Sequence, residues 1–162
     1  MKTLLILRHA KSSKDDPGLD DHARPLNDRG ERDAPRMGKL LRELDMVPDR
    51  IVSSTAVRAR ATAEAAAKAS GYEGKVDLES TLYLAEPDEY VEVVSKTPKK
   101  VRSVLVVGHN PGLERLVEKL TRKREELPTA ALAKVTFDLD DWKDLPGAKG
   151  KLEGVWRPKE LD

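Results

Sequence analysis

The chain has 162 residues, enough for one domain with a sizeable core, since a chain of ~150 residues buries roughly 70% of its unfolded surface. Its 30 Lys and Arg against 29 Asp and Glu leave a net charge of +1. That argues against nucleic acid as a partner, because polyanion binders carry a clear basic excess. Cysteine is absent, which excludes disulfides, thiol nucleophiles and thiolate metal ligands and is compatible with a reducing compartment.

The first predicted element is Leu4-Leu5-Ile6-Leu7, a continuous apolar run expected of a strand covered on both faces. It is too short to span a membrane and has no cleavage-site pattern, so the expected protein is soluble and cytoplasmic, with no membrane partner. Arg8, His9, Ala10 and Lys11 follow at once. Residues 10–27 are polar, with Pro17, Gly18 and Pro25, and read as a loop. Met37, Leu40, Leu41 and Leu44 recur at helical spacing over 28–44, and Pro35 should kink that helix or delay its start. A strand is expected at 50–53. Ser54 or Thr55 is the expected cap of an Ala-rich helix over 56–69, which Gly71 stops in the left-handed conformation. A weak strand at 76–78, a helix at 87–95 and a strong strand at 103–107 follow. Beyond Gly108-His109-Asn110-Pro111-Gly112 come a helix at 113–123 and strands at 131–137 and 151–155. This alternation predicts a three-layer α/β/α sandwich with a mostly parallel central sheet, in one domain over 1–162.

In open α/β sheets ligands bind beyond the carboxyl ends of the parallel strands. Three predicted strands end in candidate chemistry: Arg8-His9, Ser53-Ser54 with Arg58 one turn on, and Gly108-His109-Asn110. If those strands are parallel neighbours, two imidazoles and two guanidiniums converge from distant parts of the chain. Guanidinium forks match phosphate oxygens and stay charged at any working pH. The cluster therefore suits a phosphoryl group. Cations beside His9 should lower its pKa, and its second ring nitrogen should be held by a carbonyl or similar acceptor.

Leu7-Arg8-His9-Ala10, Ser53-Ser54-Thr55-Ala56-Val57-Arg58-Ala59 with Thr62-Ala63, and Val107-Gly108-His109-Asn110-Pro111-Gly112 together resemble the histidine phosphatase superfamily, with its phosphoglycerate-mutase-like fold. Short length, Arg24-Pro25-Leu26 followed by Gly30, and His9-Ala10-Lys11-Ser12 are most similar to its SixA-type phosphohistidine phosphatase branch. The resemblance implies a metal-independent phosphatase without cofactors. In it His9 accepts the phosphoryl group, Arg8, Arg58 and His109 bind its oxygens, and Arg24 adds a substrate contact. Ala10 stands where most of the superfamily has Gly, so a negative φ is expected there. The larger members carry an acidic residue on an insertion this chain is too short to hold, and Glu86 is the nearest candidate by position. Without a firmly placed acid, a phosphohistidine whose imidazole leaves readily is the favoured substrate. The expected partner is thus a phosphorylated protein or, as the alternative, a small phosphate ester; the oligomeric state is open.

Other readings are weaker. A non-catalytic phosphate- or phosphoprotein-binding module would need the arginines but not a nucleophile. A metal hydrolase built on His9, His22 and His109 lacks local ligand spacing, and His22 among Asp20, Asp21 and Arg24 reads as part of a solvated turn. Arg60 reads as a surface residue, residues 122–126 as an exposed helix end, and Trp142 and Trp156 as packing residues. Lys11 and Ser12 either reach the pocket mouth or cap the loop.

Overall fold

The computed structural model describes residues 1–161. In chain order its main elements are β1 (Lys2–Arg8), α1 (Asp28–Glu43), β2 (Arg50–Ser54), α2 (Val57–Ser70) and β3 (Val76–Glu79). The remaining ones are α3 (Pro87–Ser95), β4 (Ser103–Gly108), α4 (Gly112–Thr121), β5 (Leu132–Phe137) and β6 (Lys151–Trp156). The strands form one six-stranded sheet in the order β3-β2-β4-β1-β5-β6. Pairing is parallel from β3 through β1 and antiparallel for β5 and β6. The mostly parallel sheet expected from the alternation is present.

Strand alternation splits the apolar residues into two cores. Leu4 and Ile6 of β1, and Val104 and Val106 of β4, pack with Tyr90, Val94, Leu113 and Leu116 from α3 and α4. Leu5 and Leu7, with Leu105 and Val107, pack with Met37, Leu41, Ala59 and Ala63 from α1 and α2. Successive residues of a strand face opposite sides, so an unbroken aliphatic run is what a sheet sandwiched between helix layers requires. The three layers follow from that.

Helix α1 begins at Asp28, where the Asn27 side chain accepts a hydrogen bond from the Gly30 N–H at 2.9 Å. The cap sets the start, and Pro35 does not delay it. The carbonyl that Pro35 leaves without its helical donor belongs to Glu31, an exposed residue. Gly71 ends α2 at φ 81°, as expected. The cap of α2 differs from expectation: Ala56 occupies that position with no side-chain bond, because Ser54 and Thr55 are used elsewhere. Helix α4 stops at Thr121 rather than 123, since Arg122 turns left-handed at φ 63°. Residues 122–126 thus lie beyond the helix, and Arg157 pairs with Glu125 at 3.0 Å. Trp142 is fully buried and donates to the Val101 carbonyl at 2.7 Å; Trp156 packs half-buried on β6. No described helix is long and apolar enough to cross a membrane.

Two contacts tie the loop after β1 to α1. The Asn27 N–H donates to the Lys11 carbonyl at 3.0 Å. A Cβ on Gly30 would stand 2.2 Å from the same oxygen, so the first turn of α1 can rest on that loop only with glycine there.

Candidate active site

Strands β1, β4 and β2 are adjacent and parallel, with Arg8 opposite Gly108 and Ser53 opposite Val107. Their carboxyl ends therefore open on the same edge of the sheet. Arg8, His9, Arg24, Arg58 and His109 all line one cavity of about 240 Å³ there. Exposed Lys11 and Lys14, together with Leu84, complete part of its rim. No Asp or Glu is among its lining residues. Hollows of about 530 and 740 Å³ lie elsewhere, but neither contains a histidine. Side-chain chemistry, not size, marks the site.

His9 is 7% exposed and His109 is 2% exposed, with ring centroids 5.2 Å apart. The Nδ1 of His9 lies 2.8 Å from the Ala10 carbonyl. A carbonyl only accepts, so Nδ1 carries the proton and Nε2 keeps its lone pair. Among the described residues Nε2 has no hydrogen-bond partner. Burial is the main cause that lowers the His9 pKa to about 4, with Arg58, Arg8 and Arg24 adding to it against the opposing Ala10 bond. The ring is neutral at pH 7.

His109 is held the other way round. Its Nε2 lies 2.8 Å from the Ser54 Oγ, and its backbone N–H donates to the Tyr90 hydroxyl at 3.1 Å. Ser54 also accepts from the Ala56 N–H at 3.2 Å, so the residue read as a helix cap joins α2 to the second imidazole. Burial, then the neighbouring His9 and Arg58, lowers the His109 pKa to about 3.

Three buried nitrogens, Arg8 Nε, Arg58 Nε and His109 Nδ1, have no hydrogen-bond partner among the described residues. Buried polar nitrogens are almost always paired, and the three residues that carry these line the cationic cavity. Arg8 is braced through Nη1 to the Leu127 carbonyl at 3.1 Å. Thr62 ties the site to α2 by accepting from the Ala10 N–H at 2.9 Å and donating to the Arg58 carbonyl at 2.7 Å. Ala10 has no positive φ, as expected for a residue with a side chain.

Arg58 is 3% exposed, whereas Arg60 faces solvent and pairs with Glu64 at 2.9 Å. Arg24 reaches the cavity, yet Nη1 donates to Ser12 Oγ at 2.9 Å and Nε to Asp21 Oδ1 at 3.1 Å. It thus braces its own loop as well. Lys11 and Ser12 both line the cavity, Lys11 exposed at its rim and Ser12 buried, with its hydroxyl accepting from Arg24. Glu86 is a correction: it pairs with Arg115 at 3.3 Å, lies mostly in solvent and does not line the cavity. His22 lies 2.9 Å from Thr55 Oγ1 and stacks edge-on against Tyr83. Among the described residues no group of three His, Asp or Glu is arranged to hold a metal ion.

Sequence reasoning missed Asp21 and Tyr83. Asp21 accepts from Arg58 Nη2 at 3.0 Å through Oδ2, which also accepts from the Tyr83 hydroxyl. Nothing in a loop rich in Asp distinguishes Asp21 from Asp20, and Tyr83 lies far away in the chain.

Comparison with known proteins agrees with this geometry. The family model of the histidine phosphatase superfamily, branch 1, matches residues 4–86. An uncharacterized chloroplastic protein of Arabidopsis thaliana is 34% identical over 171 residues, spanning 97% of this chain and 78% of that protein. A SixA protein of Nakamurella multipartitia, assigned as a phosphohistidine phosphatase, superposes with TM-score 0.83 at 28% identity over 97% of this chain and 96% of that one. The protein histidine phosphatase SixA complexed with tungstate shares the fold, with TM-score 0.86 at 22% identity over 99% of both chains. The chain thus belongs to the histidine phosphatase superfamily, branch 1, as a SixA-type phosphatase.

Proposed function

We propose that this phosphatase acts on protein phosphohistidine, with His9 as the nucleophile. The observation that carries the reading is the fixed tautomer of His9: Nδ1 is committed to the Ala10 carbonyl and Nε2 is free inside a cavity shared with three arginines. The Nε2 lone pair attacks phosphorus, and the bond from phosphorus to the substrate nitrogen breaks with its electron pair going to the departing imidazole. Water then attacks the phosphorylated His9, the new P–N bond returns its pair to Nε2, and inorganic phosphate leaves. Arg8, Arg58 and His109 stabilise the equatorial oxygens, where charge is spread in a loose transition state. Their donors are already in place, so little reorganisation is needed as that charge develops. Arg24 contributes charge at the rim.

The choice of substrate rests on the leaving group. An alkoxide needs an acid, and no carboxylic acid lines the cavity. A protonated imidazole of phosphohistidine needs none. The SixA protein of Nakamurella multipartitia, assigned as a phosphohistidine phosphatase, supports the same direction. The test compares kcat/KM for a phosphohistidine-bearing carrier protein with a panel of alkyl phosphates, in the presence of EDTA. We expect the carrier protein to be preferred, turnover to survive chelation, and an acid-labile, base-stable phosphoenzyme to be trapped on quenching. Equal or better turnover of alkyl phosphates would overturn the substrate assignment, and undiminished turnover by His9→Ala would overturn the nucleophile.

A further inference from the structure

Asp21 takes no part in the steps above, yet it grips two of the site's arginines. Its carbonyl accepts from Arg58 Nη1 at 2.7 Å and its Oδ2 from Arg58 Nη2 at 3.0 Å. One residue therefore holds both arms of the guanidinium fork. Its Oδ1 accepts from Arg24 Nε and Nη2 at 3.1 and 3.0 Å, and Tyr83 donates to Oδ2. The Arg58 side chain is 4% exposed and that of Asp21 is 48% exposed, so the carboxylate covers the buried cation from the solvent side. With both arms held, the unbonded Nε of Arg58 is left on the remaining edge of the fork.

We propose that Asp21 is a positioning residue that locks the rotation of Arg58 so that Nε faces the transferred phosphoryl group. This rests on the phosphatase reading of the site. A free arginine side chain samples many rotamers, and a fork fixed before the substrate arrives loses less freedom during the reaction. The same contact supplies the counter-charge that a buried guanidinium needs. A general-acid role does not fit. Hydrogen bonds from Tyr83, then Arg58 and Arg24, hold the Asp21 carboxyl well below the usual carboxylate range, and Asp21 does not line the cavity.

The experiment combines Asp21→Asn and Arg58→Ala in a double-mutant cycle with two readouts: tungstate affinity by calorimetry, and kcat/KM on aryl phosphates with good and poor leaving groups. Asp21→Asn should weaken both by roughly 10- to 100-fold, equally for every leaving group. In the Arg58→Ala background the same change should alter either by less than about 2-fold, because the contact through which it acts is gone. Tyr83→Phe, a milder change, should move both readouts in the same direction by a smaller factor. A loss that grows with leaving-group pKa would show Asp21 to be an acid. A full loss persisting without Arg58 would show a role in loop folding, and unchanged tungstate binding would remove the idea altogether. Failure of the phosphatase reading looks different: wild-type turnover would then not depend on His9, while calorimetry would still report whether Asp21 controls the anion site.

Discussion

The ends of β1 and β4 carry the same side chain in facing positions, each one residue past the last paired position of the two strands. Their partners make them opposites. At the β1 end His9 commits Nδ1 to its own backbone and leaves Nε2 free. At the β4 end His109 commits Nε2 to Ser54 and leaves Nδ1 buried and unbonded. The lesson is that residue type and register place an imidazole, while the hydrogen bond on its other nitrogen decides what it can do. In the proposed mechanism the Ser54 hydroxyl donates to Nε2, so that the His109 Nδ1–H is the donor for a phosphoryl oxygen, whereas His9 offers a lone pair.

The largest test of that contrast replaces each ring in turn. His9→Ala should lower kcat by about 10⁴- to 10⁶-fold, as loss of a nucleophile does. His109→Ala should lower it by about 10²- to 10³-fold, the scale of one lost charge-stabilising donor. Equal losses would erase the division of labour. Ser54→Ala should reduce kcat by roughly 2- to 10-fold, the value of one hydrogen bond. It should have no further effect once His109 is alanine. The last test leaves activity untouched and follows the two rings by NMR against pH. Burial and neighbouring cations disfavour the imidazolium form, so each ring takes up its proton at lower pH than a free one. His9 should titrate near about 4 and His109 near about 3, so both remain unprotonated at pH 6. A midpoint near the ordinary ~6.5 for either would mean that its surroundings are not as closed as the geometry shows.

What could be read from the sequence follows from how local each signal is. The strand ends, and with them Arg8, His9 and His109, are visible because aliphatic runs stop abruptly at polar residues. Arg58 was separable from Arg60 by its place in the motif and by helical spacing, and the two do face opposite ways. The rest depends on contacts between segments. Ser54 looks like a cap from its neighbours in the chain, and only the pairing of β2 with β4 brings it to His109. Glu86 has the right position in order but a nearby Arg115 across α3 and α4 claims it. The end of α4 escapes notice because Arg122 adopts a left-handed conformation with no glycine to announce it.

The seat of Gly30 on the Lys11 carbonyl has a consequence for how such a site can change. Helix α1 lends no side chain to the cavity, but its leading turn is the floor under the segment that follows the proposed nucleophile, His9. Adding even a methyl group there would lift that segment off its support and tilt the groups it carries. Catalytic competence is therefore exposed to alteration at a remote, chemically inert position, one that an inventory of reacting groups would pass over.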